Sequence, residues 1–141
     1  YCVTGVQTCA LPILVEGTVE KSILFPGVKV GPGAHITESV VLPNCIIAAD
    51  AAVRRCIIDE FSIIDRGCTV GNPTTDRINL DHPDLLYAGI TLLGQDVLLP
   101  PGTRVGGNVL LHAGLKPEEL PGSHIEDGET ILSNSPAPVS L

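Results

Sequence analysis

The sequence predicts an all-β solenoid, a chain wound into three-sided coils whose short parallel strands stack into three sheets. Three observations carry that reading. Apolar anchors recur about every six residues, which is neither the 3.6-residue period of a helix nor the strict alternation of a long strand. Three windows of 17 residues align without gaps: SILFPGVKVGPGAHITE from Ser22, SVVLPNCIIAADAAVRR from Ser39 and CIIDEFSIIDRGCTVGN from Cys56. The composition also suits narrow coils, with 44% hydrophobic residues but only 3% aromatic, and with 15 Gly and 12 Pro to make turns. Wide globular cores lean on bulky rings; this one must be built from Val, Ile, Leu and Ala. The hydrophobic content argues against disorder, and 141 residues suit one domain.

The elements follow in order. Residues 3–13 read VTGVQTCALPI and resemble one translated frame of a common sequencing-adapter oligonucleotide. Residues 1–13 are therefore taken as foreign and set aside. Native sequence is expected from Leu14, with whatever preceded it missing. Coils are expected over 14–72, where the windows superpose Val30, Ile47 and Ile64 in one apolar column. Ile36, Val53 and Val70 form a second, Leu24, Val41 and Ile58 a third, and Ala34, Ala51 and Cys68 a small fourth. Gly33, Asp50 and Gly67 align as corners, as do Gly27 and Asn44, where positive φ favours Gly, Asn or Asp over β-branched residues. The period then fails. The run NPTTDRINLDHPDLLYAG marks a loop insertion over 73–90, packed over the coil, with a short helical turn near 84–87. Coils resume over 91–131, anchored by Leu93, Leu99, Val105 and Leu111, with Val97, Thr103 and Val109 as small inward partners. Residues 116–120 suit one helical turn, 124–131 a strand-turn-strand, and 132–141 a frayed tail.

Charge and cysteine bound the function. Sixteen acidic against 8 basic residues give a net charge of −8, which disfavours counterion-release binding to nucleic acid and attraction to anionic membranes. No apolar run is long enough to span a membrane, and no basic, apolar leader opens the chain. A cytoplasmic protein is expected. Outside the adapter-like segment the cysteines are Cys45, Cys56 and Cys68, with no CxxC pair and no zinc spacing. They suit a reducing compartment and read as small fillers of the coil interior.

The period resembles the hexapeptide repeat of left-handed parallel β-helices, and handedness is implied by that resemblance. Acyltransferases of this fold use a histidine as general base at a subunit interface. The four histidines, His35, His82, His112 and His124, have no such neighbourhood in sequence, and their spacing gives little support to a three-histidine metal site. No phosphate loop, dinucleotide fingerprint or GxSxG elbow is present. Catalytic residues and metal ligands are therefore expected to be absent from this stretch. Arg54 and Arg55, with Arg66 further on, offer a cationic edge that could take a phosphate-bearing effector through bidentate contacts. The other reading is that they bridge to Asp59, Glu60 or Glu38.

The segments SILFPGV, ESVV and RRCIID, within residues 16–71, resemble the C-terminal β-helix of bacterial glucose-1-phosphate adenylyltransferases (ADP-glucose pyrophosphorylases). The resemblance implies a parent reaction joining ATP and glucose 1-phosphate into ADP-glucose and pyrophosphate, for glycogen synthesis. Catalysis and Mg²⁺ would belong to an N-terminal domain outside this chain. The β-helix would serve oligomerisation and allosteric control, inactive alone and partnered by that domain, by further copies and by a phosphorylated effector. Phe61 departs from the family pattern, and so do the coils after residue 90. Those departures leave a mannose-1-phosphate guanylyltransferase-like protein, or a hexapeptide acyltransferase trimer, as alternatives.

Overall fold

The computed structural model describes residues 12–133. The first coil carries β1 (Leu14–Val15), β2 (Thr18–Glu20) and β3 (Ile23–Leu24). The second carries β4 (Lys29–Val30), β5 (His35–Thr37) and β6 (Val40–Val41), and the third β7 (Ile46–Ile47), β8 (Ala52–Arg54) and β9 (Cys56–Ile58). The fourth carries β10 (Ile63–Ile64), β11 (Thr69–Val70) and, beyond the insertion, β12 (Thr91–Leu93). The fifth carries β13 (Leu98–Leu99), β14 (Arg104–Val105) and β15 (Leu110–Leu111). A 3₁₀ turn (Pro117–Glu119) then leads to β16 (His124–Ile125) and β17 (Thr130–Ile131). Each strand pairs in parallel with its equivalent one coil away. The first sheet has five strands (β1-β4-β7-β10-β13), and the second (β16-β14-β11-β8-β5-β2) and third (β17-β15-β12-β9-β6-β3) have six each.

The apolar columns become the core. Val30, Ile47, Ile64 and Leu99 pair rung to rung in the first sheet. Ile36, Val53, Val70 and Val105 do so in the second, and Leu24, Val41 and Ile58 in the third. All are buried. Full burial of such a side chain stabilises by roughly 1.5–3 kcal/mol, so a repeated column is where the fold gets its cohesion. Parallel pairing needs no helix here, because each coil returns the chain one rung higher by turning its three corners.

The small inward positions carry a finding that the sequence does not show. Ser22, Ser39 and Cys56 form one column, in which Ser22 Oγ accepts from Ser39 N (3.0 Å) and Ser39 Oγ from Cys56 N (3.1 Å). Their own donors close onto corner carbonyls: Ser39 Oγ donates to Thr37 O (2.8 Å) and the Cys56 thiol to Arg54 O (3.2 Å). The Cys45 thiol donates to Asp59 O (2.9 Å) and the Cys68 thiol to Pro100 O (3.1 Å). The cysteines are thus fillers that also satisfy carbonyls a narrow corner would otherwise strand.

Corners differ from the expected Gly, Asn or Asp. Gly33, Asp50 and Gly67 have φ of 76°, 61° and 68°, but Lys21, Glu38 and Arg55 stand at 51°, 49° and 50°, and Phe61 at 61°. The ladder holds these side chains in a disfavoured region, since Glu38 N donates to Glu20 O (3.1 Å), Arg55 N to Thr37 O (2.9 Å) and Phe61 N to Pro43 O (3.2 Å).

The insertion leaves the solenoid between β11 and β12. It holds no helix; a single turn closes where Leu85 N and Leu86 N donate to His82 O (3.1 and 3.0 Å), so the helical turn expected at 84–87 begins earlier and does not propagate. Leu86 is buried and its carbonyl accepts from Asn79 N, which folds the segment back on itself. Buried Asn79 donates to Asn108 O (2.9 Å) and Glu129 O (3.2 Å) and accepts from the amides of Asp81 and His82. Residues 1–11 and 134–141, which include most of the adapter-like segment and of the expected tail, lie outside the described residues.

Candidate functional site

Outward positions are free of the packing rule, so chemistry concentrates there. On the second sheet, the first residue of each strand faces out in register: Thr18, His35, Ala52, Thr69, Arg104 and His124. Two residues on, a second outward column runs Glu20, Thr37 and Arg54. The register continues it through Gly71 and Gly106, which follow β11 and β14, to Glu126.

A cleft of about 380 Å³ opens on this face, with Arg54, Arg104 and His124 on its walls and Thr69, Gly71 and Gly106 beneath. Asn72, Val105, Glu126 and Asp127 complete it. Two glycines make the hollow. Gly71 has φ 99° and a Cβ there would run into Arg54 O, while a Cβ on Gly106 would strike the Asp127 carboxylate.

The charges in the cleft are unevenly satisfied. Asp127 accepts from Gly107 N (2.8 Å), Thr75 Oγ1 (2.8 Å) and Asn72 Nδ2 (3.3 Å), so its carboxylate is spent on holding the insertion to the last coil. His124 Nε2 stands 3.7 Å from Glu126 Oε2. Arg54 and Arg104, both exposed, have no ion pair among the described residues.

The structure separates the three arginines singled out from the sequence. Arg54 faces the cleft. Arg55, one residue on, turns to the next corner, where Nη1 donates to Pro73 O (3.3 Å) and Ala88 O (3.2 Å) and Nη2 pairs with Glu38 (3.4 Å). It clamps both ends of the insertion. Arg66 is exposed at the other end of β11, beside Gly67. Arg104 and His124 complete the cleft from coils beyond the aligned windows, and the signal that would have found them is the register Thr69–Arg104–His124.

The histidines do not gather. His35 and His124 are four rungs apart, about 19 Å at the usual strand spacing, and His82 lies in the insertion. Among the described residues no three His, Cys, Asp or Glu cluster as metal ligands, and no helix is long and apolar enough to cross a membrane.

Comparison with known proteins fits this architecture. Residues 7–84 match the family described as "GlmU-like, C-terminal hexapeptide". The chain belongs to that hexapeptide family. Its fold class is accordingly the left-handed parallel β-helix. Among curated relatives, this hexapeptide chain is 32% identical over 119 residues to the glucose-1-phosphate adenylyltransferase of Acetivibrio thermocellus, covering 84% of this chain and 28% of that protein. It is 40% identical over 94 residues to the one from Thermomicrobium roseum, covering 67% of this chain and 22% of that protein. The chain therefore spans about a quarter of the length of the relatives it matches. A solved structure, the acetyltransferase domain of PglB from Neisseria gonorrhoeae, overlaps 92% of this chain and 58% of its own at 26% identity, with a TM-score of 0.45.

Proposed function

We propose that this chain works as the C-terminal β-helix of a cytoplasmic sugar-1-phosphate nucleotidyltransferase of the glucose-1-phosphate adenylyltransferase type. On this reading it serves assembly and regulation. The Mg²⁺-dependent joining of ATP and glucose 1-phosphate belongs to a catalytic domain outside these residues. The observation that carries it is the breadth of the match: 84% of the chain aligns with a relative of that name, insertion and later coils included. The scattered histidines favour it over a hexapeptide acyltransferase.

Assembly has a surface to work with. The outer face of the third sheet stacks Ile23, Val40, Ile57, Leu92 and Leu110 in register. Ile23 is 49% and Ile57 40% exposed, and neighbouring Phe25 37%. No charge stands in that column, so a second copy can approach without facing the like charges of a −8 chain. The corresponding column of the first sheet is interrupted by Lys29. A phosphorylated effector would meet the module through arginine, and Arg54 is the member of Arg54, Arg55 and Arg66 that faces an open cleft.

The purified chain should self-associate in light scattering and make no ADP-glucose from ATP, glucose 1-phosphate and Mg²⁺. Measurable synthesis by the chain alone would overturn the module reading. Acetyl-CoA turnover lost in one of His35→Ala, His82→Ala or His112→Ala would replace it with the acyltransferase.

A further inference from the structure

We propose that the insertion is a strap that closes the sixth coil, and that strap and coil open and shut as one unit. The argument begins with what the sixth coil lacks. A terminal coil of a solenoid has a neighbour on one side only and needs a cap. Among the described residues the first sheet ends at β13, and the sixth coil meets that side with the 3₁₀ turn instead of a strand. Of its described apolar side chains Ile125 alone is fully buried, while Leu120 and Ile131 are partly so. The third coil, by contrast, buries Cys45, Ile47, Ala51, Val53, Cys56 and Ile58. Stabilisation follows the apolar area removed from water, so the sixth coil holds itself far less firmly.

The insertion makes up the difference. It leaves and re-enters the solenoid at the fourth coil, yet its bonds reach two rungs further. Thr75 Oγ1 donates to Asp127 (2.8 Å), Leu80 N to Gly128 O (3.2 Å) and Asn79 Nδ2 to Glu129 O (3.2 Å). Thr130 Oγ1 donates back to Asn79 Oδ1 (3.2 Å). Every residue of the corner 127–130 is thus fastened to the strap. The fifth coil is tied on the way, since Asn108 Nδ2 donates to Arg77 O (2.7 Å) and Gly89 N to Asn108 Oδ1 (2.8 Å). Two glycines permit the close approach. A Cβ on Gly128 would run into Ile78 O, and one on Gly107 into Asn72 O and the Thr75 methyl. A rung with little core, whose corner ends on one segment, opens with that segment.

The unit joins two surfaces. His124 and Glu126 stand on the sixth rung of the second sheet, and the strap holds Leu80 and Leu85 out to solvent. Whatever displaces the strap therefore unseats that end of the sheet as well. The inference uses these contacts alone and is independent of the function proposed above.

Native-state hydrogen exchange on the isotope-labelled full chain tests it. The amides of Arg104, Gly106, Leu110 and His112 donate to Ser123, Ile125, Glu129 and Ile131, so they exchange when the sixth coil lifts away. Leu80 reports the seam between strap and coil, and Lys29, Gly31 and Ile46, bonded to Cys45, Ile47 and Ser62, report the earlier coils. Thr75→Val exchanges a hydroxyl for a methyl and removes the bond to Asp127. It should speed exchange at Leu80 and at the four sixth-coil reporters together, by about five- to tenfold, and leave Lys29, Gly31 and Ile46 unmoved. Ile125→Val works from the other side, and should speed Leu80 by the same factor as the four reporters. Faster exchange at Leu80 with the four reporters unchanged in Thr75→Val overturns the proposal, because the insertion is then a surface loop. Ile125→Val loosening the reporters without Leu80 overturns it from the coil side. Equal acceleration in every coil also overturns it, because strap and last coil are then no separate unit.

Discussion

The second and third sheets share one interior and present opposite exteriors. Inside, both stack an aliphatic anchor over a small residue at every rung from the second coil to the fifth. Outside, the third sheet shows Ile23, Val40, Ile57, Leu92 and Leu110, whereas the second shows His35, Ala52, Thr69, Arg104 and His124. The solenoid dictates the inward column because three strands must meet across a narrow triangle. It leaves the outward column to be written for a purpose. An apolar exterior suits contact with protein, and a cationic, glycine-notched one suits a small anion.

That difference is sharpest on a single strand. Ile57 and Ile58 are neighbours on β9, one 40% exposed on the outer face and one fully buried. Ile58→Ala should cost about 2–5 kcal/mol, because it removes apolar contacts and leaves a cavity between two rungs. Ile57→Ala, measured under dilute conditions where copies separate, should stay within about 0.5 kcal/mol. Denaturant titrations of the two variants give the contrast directly. Equal losses would mean that the outer face is already covered within one chain.

The insertion offers the next largest effect. Asn79 has its amide and carbonyl both engaged, and Asn79→Ala removes the side-chain partner of Asn108 O and of the amides of Asp81 and His82, while Glu129 O keeps its bond from Leu110 N. Buried groups left without partners cost about 1–3 kcal/mol, so the variant should lose about that much stability. Limited proteolysis should then cut within residues 73–90 while the coils resist. Cleavage within the coils first would show that the insertion does not open as a unit.

Arg54 and Arg55 repeat the comparison at adjacent residues. Arg55→Ala removes the bonds to Pro73 O and Ala88 O that hold the neck of the insertion, and should cost about 1 kcal/mol. Arg54→Ala should leave the melting temperature unchanged, since no bond of its side chain ends on the protein among the described residues. A matching loss in both variants would make Arg54 structural.

How much of this was legible in the sequence follows from the same division. The anchors Val30, Ile47 and Ile64 were visible because one constraint repeats at every coil and writes the same chemistry each time. The turn expected at 84–87 was displaced because Leu86, not local propensity, decides where that segment closes. The corners at Lys21, Glu38, Arg55 and Phe61 were hidden, because ladder bonds there override the preference for glycine. The cleft was half hidden. Arg54 stood out as part of an arginine pair, but Arg104 and His124 lie in coils separated by the insertion, and only the pairing register joins them. Sequence adjacency pointed to Arg55 instead, which the chain uses to tie its own loop.

The smallest expected effect tests whether the cysteines are interior parts and no more. Cys56 occupies a column shared with Ser39 and Thr91, and its thiol makes the same kind of bond to a corner carbonyl as the Ser39 hydroxyl does. Cys56→Ser should therefore change stability at neutral pH by less than about 1 kcal/mol. Alkaline pH separates the two. Burial pushes the Cys56 thiol from 9.0 up to about 12 and the Cys45 thiol to about 11. The unfolded chain releases these protons above pH 9 while the folded chain keeps them. The stabilising contribution of the protonated thiols is thus whole below pH 9 and declines as pH rises toward 11 and 12. Serine does not titrate in that range, so Cys56→Ser should lose stability less steeply than the parent between pH 9 and 11. Parallel curves in denaturation at pH 8, 9.5 and 10.5 would mean that the thiol is reached by solvent, and that the interior at this rung is looser than its neighbours.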